Sequence, residues 1–335
     1  MEFENFMGID LSKDTLDYAG VNIDGELLES KGANDRQSIE KELLNFSRDL
    51  GIDLNKTLIC AEFTGHFGNK LIDVALKLGL NLWMESAYKI IHSQGLIRGK
   101  SDPIDALRIM EYAKRFQDKA VLLKPSSSNI QLLKRLSTER DLVVKDIAKY
   151  KSQLKQEEGF FDKKYFSQKT KRIQKVKKIN EKVLSELEEE IDRILDSDPE
   201  INKNFERILA IEGVGKQTAV ATIIATENFS RFKTARKFSC HIGCAPFSYQ
   251  SGTSLHTKGK VSHKANKNIK RLYHMAAVST IRTKGELSTY YQRKVDEGKH
   301  KMSVINAIRA KLIARVFAVV NQDRDYEKKY IHSLA

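Results

Sequence analysis

Four prolines and three cysteines are few for a chain of 335 residues. Cys60, Cys240 and Cys244 are too few and too odd in number for a disulfide framework, so a reducing cytoplasm is the expected setting. No apolar run approaches the roughly 20 residues that a membrane-spanning helix needs. Met1 to Ser12 carries two acids before any base and no apolar core with a cleavage site, unlike a secretory signal. Acids are also missing locally. Between Glu227 and Glu286 there is no Asp or Glu, yet 12 Lys and Arg fall in that interval. A solvated surface mixes signs to limit self-repulsion, so this stretch points to a polyanionic partner, nucleic acid first, with a merely soluble basic face as the plain alternative.

What is present supports folded domains. Hydrophobic residues make up 41% of the chain and mean hydropathy is −0.45, enough for sizeable cores and too apolar for a disordered protein. The formal net charge of +14 is unevenly placed. Residues 1–120 hold 15 bases against 20 acids, and the remainder holds 43 against 24. Acids in the first part can hold metal while bases elsewhere hold phosphate.

The N-terminal region reads as strand, strand, strand, helix, strand, helix, strand, helix, an α/β pattern with a mixed sheet. Asn5–Ser12, Thr15–Ile23 and Glu26–Gly32 are short strand-like runs separated by Lys13-Asp14 and by Asp24-Gly25, a hairpin turn. A helix follows Asn34 or Asp35 as N-cap, with Ile39, Leu43, Leu44 and Leu50 at helical spacing. Pro125 and Ser126–Ser128 mark a boundary. From Asn129 to Ser197 there is no proline and no glycine except Gly159, which predicts two long helices broken at Gly159-Phe160-Phe161, a coiled-coil arm suited to oligomerisation. Its Lys163–Lys182 segment holds nine bases and is either a nucleic-acid contact or a solvated tip. After Pro199 a mainly helical domain is expected, with an irregular basic section over 239–264. The expected domains are therefore 1–124, 125–200 and 201–335.

Asp10 and Glu62 each end an apolar strand, where a carboxylate is costly unless a cation compensates it. Adjacent strand ends in an α/β sheet are where ligands bind. Asp102 and Asp105 lie three apart at the start of a helix marked by Pro103, so both face one side. Together the four make an oxygen-rich pocket of the kind Mg²⁺ takes in phosphate chemistry. Singly, each has a plain explanation as a cap or strand terminus.

In the last domain, Leu209–Ala219 has the form of a helix-hairpin-helix turn. Its Gly213, Gly215 and Lys216 could offer backbone N–H groups and a cation to phosphate. An ordinary tight connection between helices is the alternative. Ser251, before Gly252, is followed by Lys258, Lys260, Lys264, Lys267, Lys270 and Arg271. A serine bordered by cations can attack a phosphodiester, although Ser-Gly is also a common turn. Cys240, His241 and Cys244 have no second ligand pair, so they read as core or loop residues and not as a zinc site.

Three segments, GIDLSKDTLD, CAEFTGHFG and KSDPIDALRIMEYA, resemble the RuvC-like domain of the DEDD insertion-sequence transposases, relatives of the Piv-type DNA invertases. IEGVGKQTAVATIIAT, HIGCAPFSYQSGTS and KGKVSHKANKNIKRLYHMAA look like that family's C-terminal transposase domain. The resemblance implies an α/β RNase H-like N-terminal domain with Asp10, Glu62, Asp102 and Asp105 as a metal-holding catalytic tetrad. It implies a long coiled-coil arm, and a mainly α C-terminal domain with Ser251 as nucleophile. It further implies strand exchange of donor and target DNA through a serine-DNA link, a guide RNA that pairs with both, and a homo-oligomer, dimer or tetramer. Thr253-Ser254-Leu255-His256 departs from the family's usual glycine and bases, which keeps Ser248 and Ser254 open as nucleophiles. Two other classes stay in play: a junction-resolving nuclease in which the acids activate water, and a non-catalytic nucleic-acid binder.

Overall fold

The computed structural model describes residues 3–93, 102–124, 127–245, 247–251, 255–261 and 265–327. The chain divides into two compact units at residues 125 and 126, where Pro125 and the serines after it interrupt the pattern.

The first unit is built on a five-stranded sheet. Its strands are β1 (Asn5–Leu11), β2 (Thr15–Val21), β3 (Leu27–Ala33), β4 (Thr57–Glu62) and β5 (Asn81–Glu85), in the order β3-β2-β1-β4-β5. β1 pairs antiparallel with β2 and parallel with β4, so the sheet is mixed as the pattern of elements predicts. Gly25 has φ +89°, which suits the predicted turn between β2 and β3.

Side-chain alternation in β1 sorts the unit into two layers. Met7, Ile9 and Leu11 join a core with Ile39, Leu43 and Phe46 of α1 (Arg36–Asp49) and Leu71 and Val74 of α2 (Asn69–Lys77). Asp35 is the N-cap of α1, and its carboxylate accepts from Ser38 N at 2.9 Å. Leu44, expected inside, is exposed; Phe46 takes the buried place. On the opposite face Phe6, Leu58, Cys60 and Trp83 pack with Ile109, Met110 and Ala113 of a later helix, beyond α3 (Ala87–His92). That later helix is α4 (Asp102–Arg115).

The second unit begins with α5 (Ser128–Glu157) and α6 (Lys163–Ser197), separated by the predicted break at Gly159. Their base is buried: Ile130, Leu133 and Leu136 meet Ile191, Ile194 and Leu195 inside the main core of the unit. At the other end Phe160 is 83% exposed. Asp198 caps α7 (Pro199–Leu209), with the proline in the first turn where its missing N–H costs nothing. Then follow α8 (Lys216–Thr226), α9 (Ala235–His241), the hairpin β6 (Phe247–Ser251) and β7 (Leu255–Lys260), α10 (Lys267–Arg282), α11 (Glu286–Asp296) and α12 (Lys301–Asn321). The two-stranded hairpin lies where the glycine and proline spacing predicts irregular chain; local punctuation hides the cross-strand pairing. α12 is apolar on most of its circumference and runs through the core, burying Ile308, Leu312, Ile313 and Val316. Among the described residues no helix is long and apolar enough to cross a membrane.

Candidate active site

The acids of the first unit are gathered by strand parity and by one glycine. Phe6, Gly8 and Asp10 alternate onto the face of β1 that α4 covers. At Gly8 the helix comes so close that an added Cβ would stand 2.2 Å from both Ala106 O and Met110 N. Only the absence of a side chain allows this approach. It brings the first turn of α4, with Asp102 and Asp105, alongside Asp10 two residues further on. On β4 the last registered pair is Ile9 with Ala61, so Glu62 lies level with Asp10 on the neighbouring parallel strand.

The electrostatic consequence is clear at Asp10. Burial pushes its carboxyl up to about 6, and the negative charges of Asp105, Glu62, Asp102 and Asp17 add to the shift in that order. The four residues singled out by spacing therefore share one electrostatic site. Asp105 also has a cation at hand, with Arg108 Nη1 2.8 Å from its Oδ1. Among the described residues no three His, Cys, Asp or Glu side chains converge as a ready ligand set. The donor chemistry nevertheless suits a hard divalent cation. The charges that act on Asp10 are all carboxylates, and their mutual repulsion is the cost that such an ion removes.

Asp17 is a fifth acid that motif reading misses. It stands opposite Asp10 across the β1–β2 pair and is only 3% exposed. Like charges directly opposite destabilise a sheet. Lys31 of β3 offsets this, with Nζ 3.1 Å from Asp17 Oδ2. Parity would have found it, since Asp17 shares a face with Ala19 and Val21, which belong to the core beneath α4.

In the second unit Ser251 is the last residue of β6 and pairs in register with Leu255 of β7. Ser248 lies within β6, Lys258 and Lys260 within β7. Gly252, Thr253, Ser254 and Lys264 lie outside the described residues. Lys267, Lys270 and Arg271 occupy the first turns of α10, whose N-cap Asn266 accepts from Ile269 N at 3.2 Å. Their spacing of three and four places them along one side of the helix.

The glycine turn before α8 has a packing role. Gly213 has φ +86°, and a Cβ there would lie 1.9 Å from Thr280 Oγ1. The turn is thus pressed onto α10, and Thr280 donates to Glu212 O at 3.1 Å. Gly215 has open space around it and precedes α8 as its N-cap. Lys216, expected to meet phosphate, is paired with Asp192 of α6 at 2.6 Å. Cys244 is buried and Cys240 half-buried. The His241 ring lies 5.1 Å from that of Phe232, in aromatic surroundings.

Comparison with known proteins adds the family to this geometry. Residues 7–157 match the DEDD transposase family model of the IS110 type, and residues 205–292 match the model described as Transposase IS116/IS110/IS902 family. Together they cover well over half of the chain, and each falls largely in one unit. The pilin gene-inverting protein of Moraxella bovis is 23% identical over 97% of this chain and 98% of its own length. That of Moraxella lacunata is 24% identical over 70% of each chain. An uncharacterized 43.6 kDa protein of insertion element IS110 from Streptomyces coelicolor is 26% identical over 36% of this chain and 30% of its own.

Proposed function

The chain belongs to the IS116/IS110/IS902 transposase family and is an enzyme that cleaves and rejoins DNA, and from that premise we propose that it is an insertion-sequence recombinase working through a serine-DNA intermediate. The observation that carries this is the gathering of Asp102, Asp105 and Glu62 about Asp10, with its raised carboxyl, in the very segment that matches the transposase family. The five-stranded unit is taken as a RuvC-like, RNase H-like domain. The α5–α6 hairpin is taken as a coiled-coil arm joining protomers in a dimer or tetramer, and the turn before α8 as a helix-hairpin-helix. The protein acts in the cytoplasm, on donor and target DNA, with a guide RNA that pairs with both.

In the reaction proposed, Ser251 Oγ attacks a phosphorus atom of the DNA backbone. A serine-phosphate ester forms, the bond to one sugar oxygen breaks, the serine proton is given up, and the departing oxygen takes one. A hydroxyl from another strand then attacks that ester, which rejoins DNA and restores the serine. Each step exchanges one phosphodiester for another, so no external energy source is required. Lys258, Lys260, Lys264, Lys267, Lys270 and Arg271 hold the strand by its phosphates. Asp10, Glu62, Asp102 and Asp105 are the residues that would hold Mg²⁺, and the chemistry it supplies when bound is neutralisation of phosphate charge and activation of an oxygen nucleophile.

The test is a trapping experiment on nicked substrate. The parent protein is expected to leave a denaturant-resistant protein-DNA adduct, and Ser251→Ala to lose both the adduct and strand exchange. An adduct that persists in Ser251→Ala overturns the assignment of the nucleophile. Protein-free ends from the parent protein would favour hydrolysis by water activated at the acids.

A further inference from the structure

Arg309, on α12, is 6% exposed. No carboxylate stands within ion-pair distance of it among the described residues, and its Nε has no hydrogen-bond partner. Buried arginines are normally paired, because an uncompensated buried charge is costly. Here Arg309 has a side-chain hydrogen bond to Cys244, a neutral thiol, and no carboxylate partner among the described residues. The segments 216–226, 235–241, 247–260, 267–282 and 301–321, which form α8, α9, the β6–β7 hairpin, α10 and α12, contain no Asp or Glu; α7 and α11, which also pack against α12, do carry acids, and of these Glu286 pairs with Arg315.

The neighbours are further cations. Lys270 Nζ comes within 3.6 Å of the position a Cβ would take on Gly243. Burial holds the Cys244 thiol above its ordinary range, and Arg309 and Lys270 pull it back down. His274 is held below its usual range by burial and by the Arg309 charge. The chain at this point is also firmly placed. Asn306, one turn before Arg309, donates from Nδ2 to Cys244 O at 2.8 Å, and Asn266 N donates to His241 O at 3.0 Å. Cys244 lies three residues before β6, the strand that ends at Ser251.

We propose that Arg309 and Lys270 form a receptor for one backbone phosphodiester of the DNA strand, at the base of the β6–β7 hairpin. It rests on the recombinase reading and adds to it a binding site on α12, outside the basic run that sequence singles out. A planar guanidinium suits the two free oxygens of a phosphodiester, and Lys270 supplies a second point charge. Five residues of β6 span about 13 Å, so a strand held at this end passes along the hairpin towards Ser251.

The experiment uses the full chain, a 30-base-pair duplex and an RNA of equal length, with binding measured across a salt series. In Arg309→Met, DNA affinity near 0.1 M salt should fall roughly tenfold and the slope of log affinity against log salt should become shallower by about one, as expected for a lost phosphate contact. Its melting temperature should hold or rise, since replacing a buried unpaired charge by an apolar side chain removes a cost. Lys270→Met, at a half-exposed position, should weaken DNA binding in the same way without unfolding risk. The proposal is overturned if a folded Arg309→Met binds DNA with unchanged affinity and slope, whatever Lys270→Met does, or if only RNA binding changes. Adduct trapping separates this from the assignment of Ser251. A parent protein that forms the adduct while both Met variants bind DNA normally loses the phosphate site and keeps the nucleophile. A salt effect in both variants without any adduct from the parent protein does the reverse.

Discussion

Asp10, central to the proposed site, carries an electrostatic cost in the folded protein. In the folded protein its carboxyl titrates near 6, whereas the unfolded chain releases that proton in the ordinary range near 4. Between those values the folded state binds the extra proton, so stability falls as pH rises through the window and stays lower above it. Asp10→Asn removes this penalty. The variant should melt higher than the parent protein at pH 7.5 in the presence of a chelator, by the equivalent of about 1 kcal/mol once solvent screening of a half-exposed group is allowed for. The gap should shrink below pH 5. Added Mg²⁺ should also narrow it, because the cation relieves in the parent what the substitution removes. Calorimetry at three pH values with and without Mg²⁺ reads all of this, and a variant that melts lower at pH 7.5 would show that the carboxylate is already compensated. Asp10→Asn should lose strand cleavage throughout.

At the scale of elements, glycines decide how closely helices approach. The approach of α4 to β1 depends on Gly8, since a Cβ there would collide with helix backbone, which cannot yield as a flexible side chain can. Gly8→Ala should cost about 1–3 kcal/mol or more in urea unfolding, as overpacking against backbone does. It should also lower cleavage more than stability accounts for, because the shifted helix carries Asp102 and Asp105. Gly213 and Gly215 make a contrast within one turn. Gly213→Ala meets both a positive φ and Thr280, whereas Gly215→Ala has open space and loses only cap preference, about 1 kcal/mol. Comparing the two in unfolding and in DNA binding separates a packing role from phosphate contact. A Gly215→Ala protein with only this small loss of stability and normal DNA affinity would remove the turn from the binding surface.

For the molecule as a whole, charge is divided between the units. The acids cluster in the first, where they repel one another about Asp10, while α8 to α10 and α12 in the second carry bases and no acid. Affinity for DNA should therefore come from phosphate contacts and fall steeply with salt, roughly a thousandfold between 50 and 200 mM if about six phosphates are engaged. Filter binding across that range measures it. A flat response would mean that the basic surface is only a solvated face.

The sequence by itself determined the order of the strands in the first unit with α1, α2 and α4 among them, the boundary at Pro125 and the paired long helices, and it singled out the four acids. These follow from short-range rules: strand alternation, helical spacing, proline and glycine punctuation, and a carboxylate ending an apolar strand. Pairings between distant segments were out of reach of those rules. Only the tertiary structure decided that Asp17 faces Asp10, that Lys216 is taken up by Asp192, that Gly8 and Gly213 are contact points, and that residues 247–260 pair as a hairpin. Arg309 shows the same limit most sharply. Its sequence surroundings, Ala-Ile-Arg-Ala-Lys, look like an ordinary solvated helix turn. Burial without a carboxylate partner is a property of everything packed around it, and one-dimensional spacing carries no record of that.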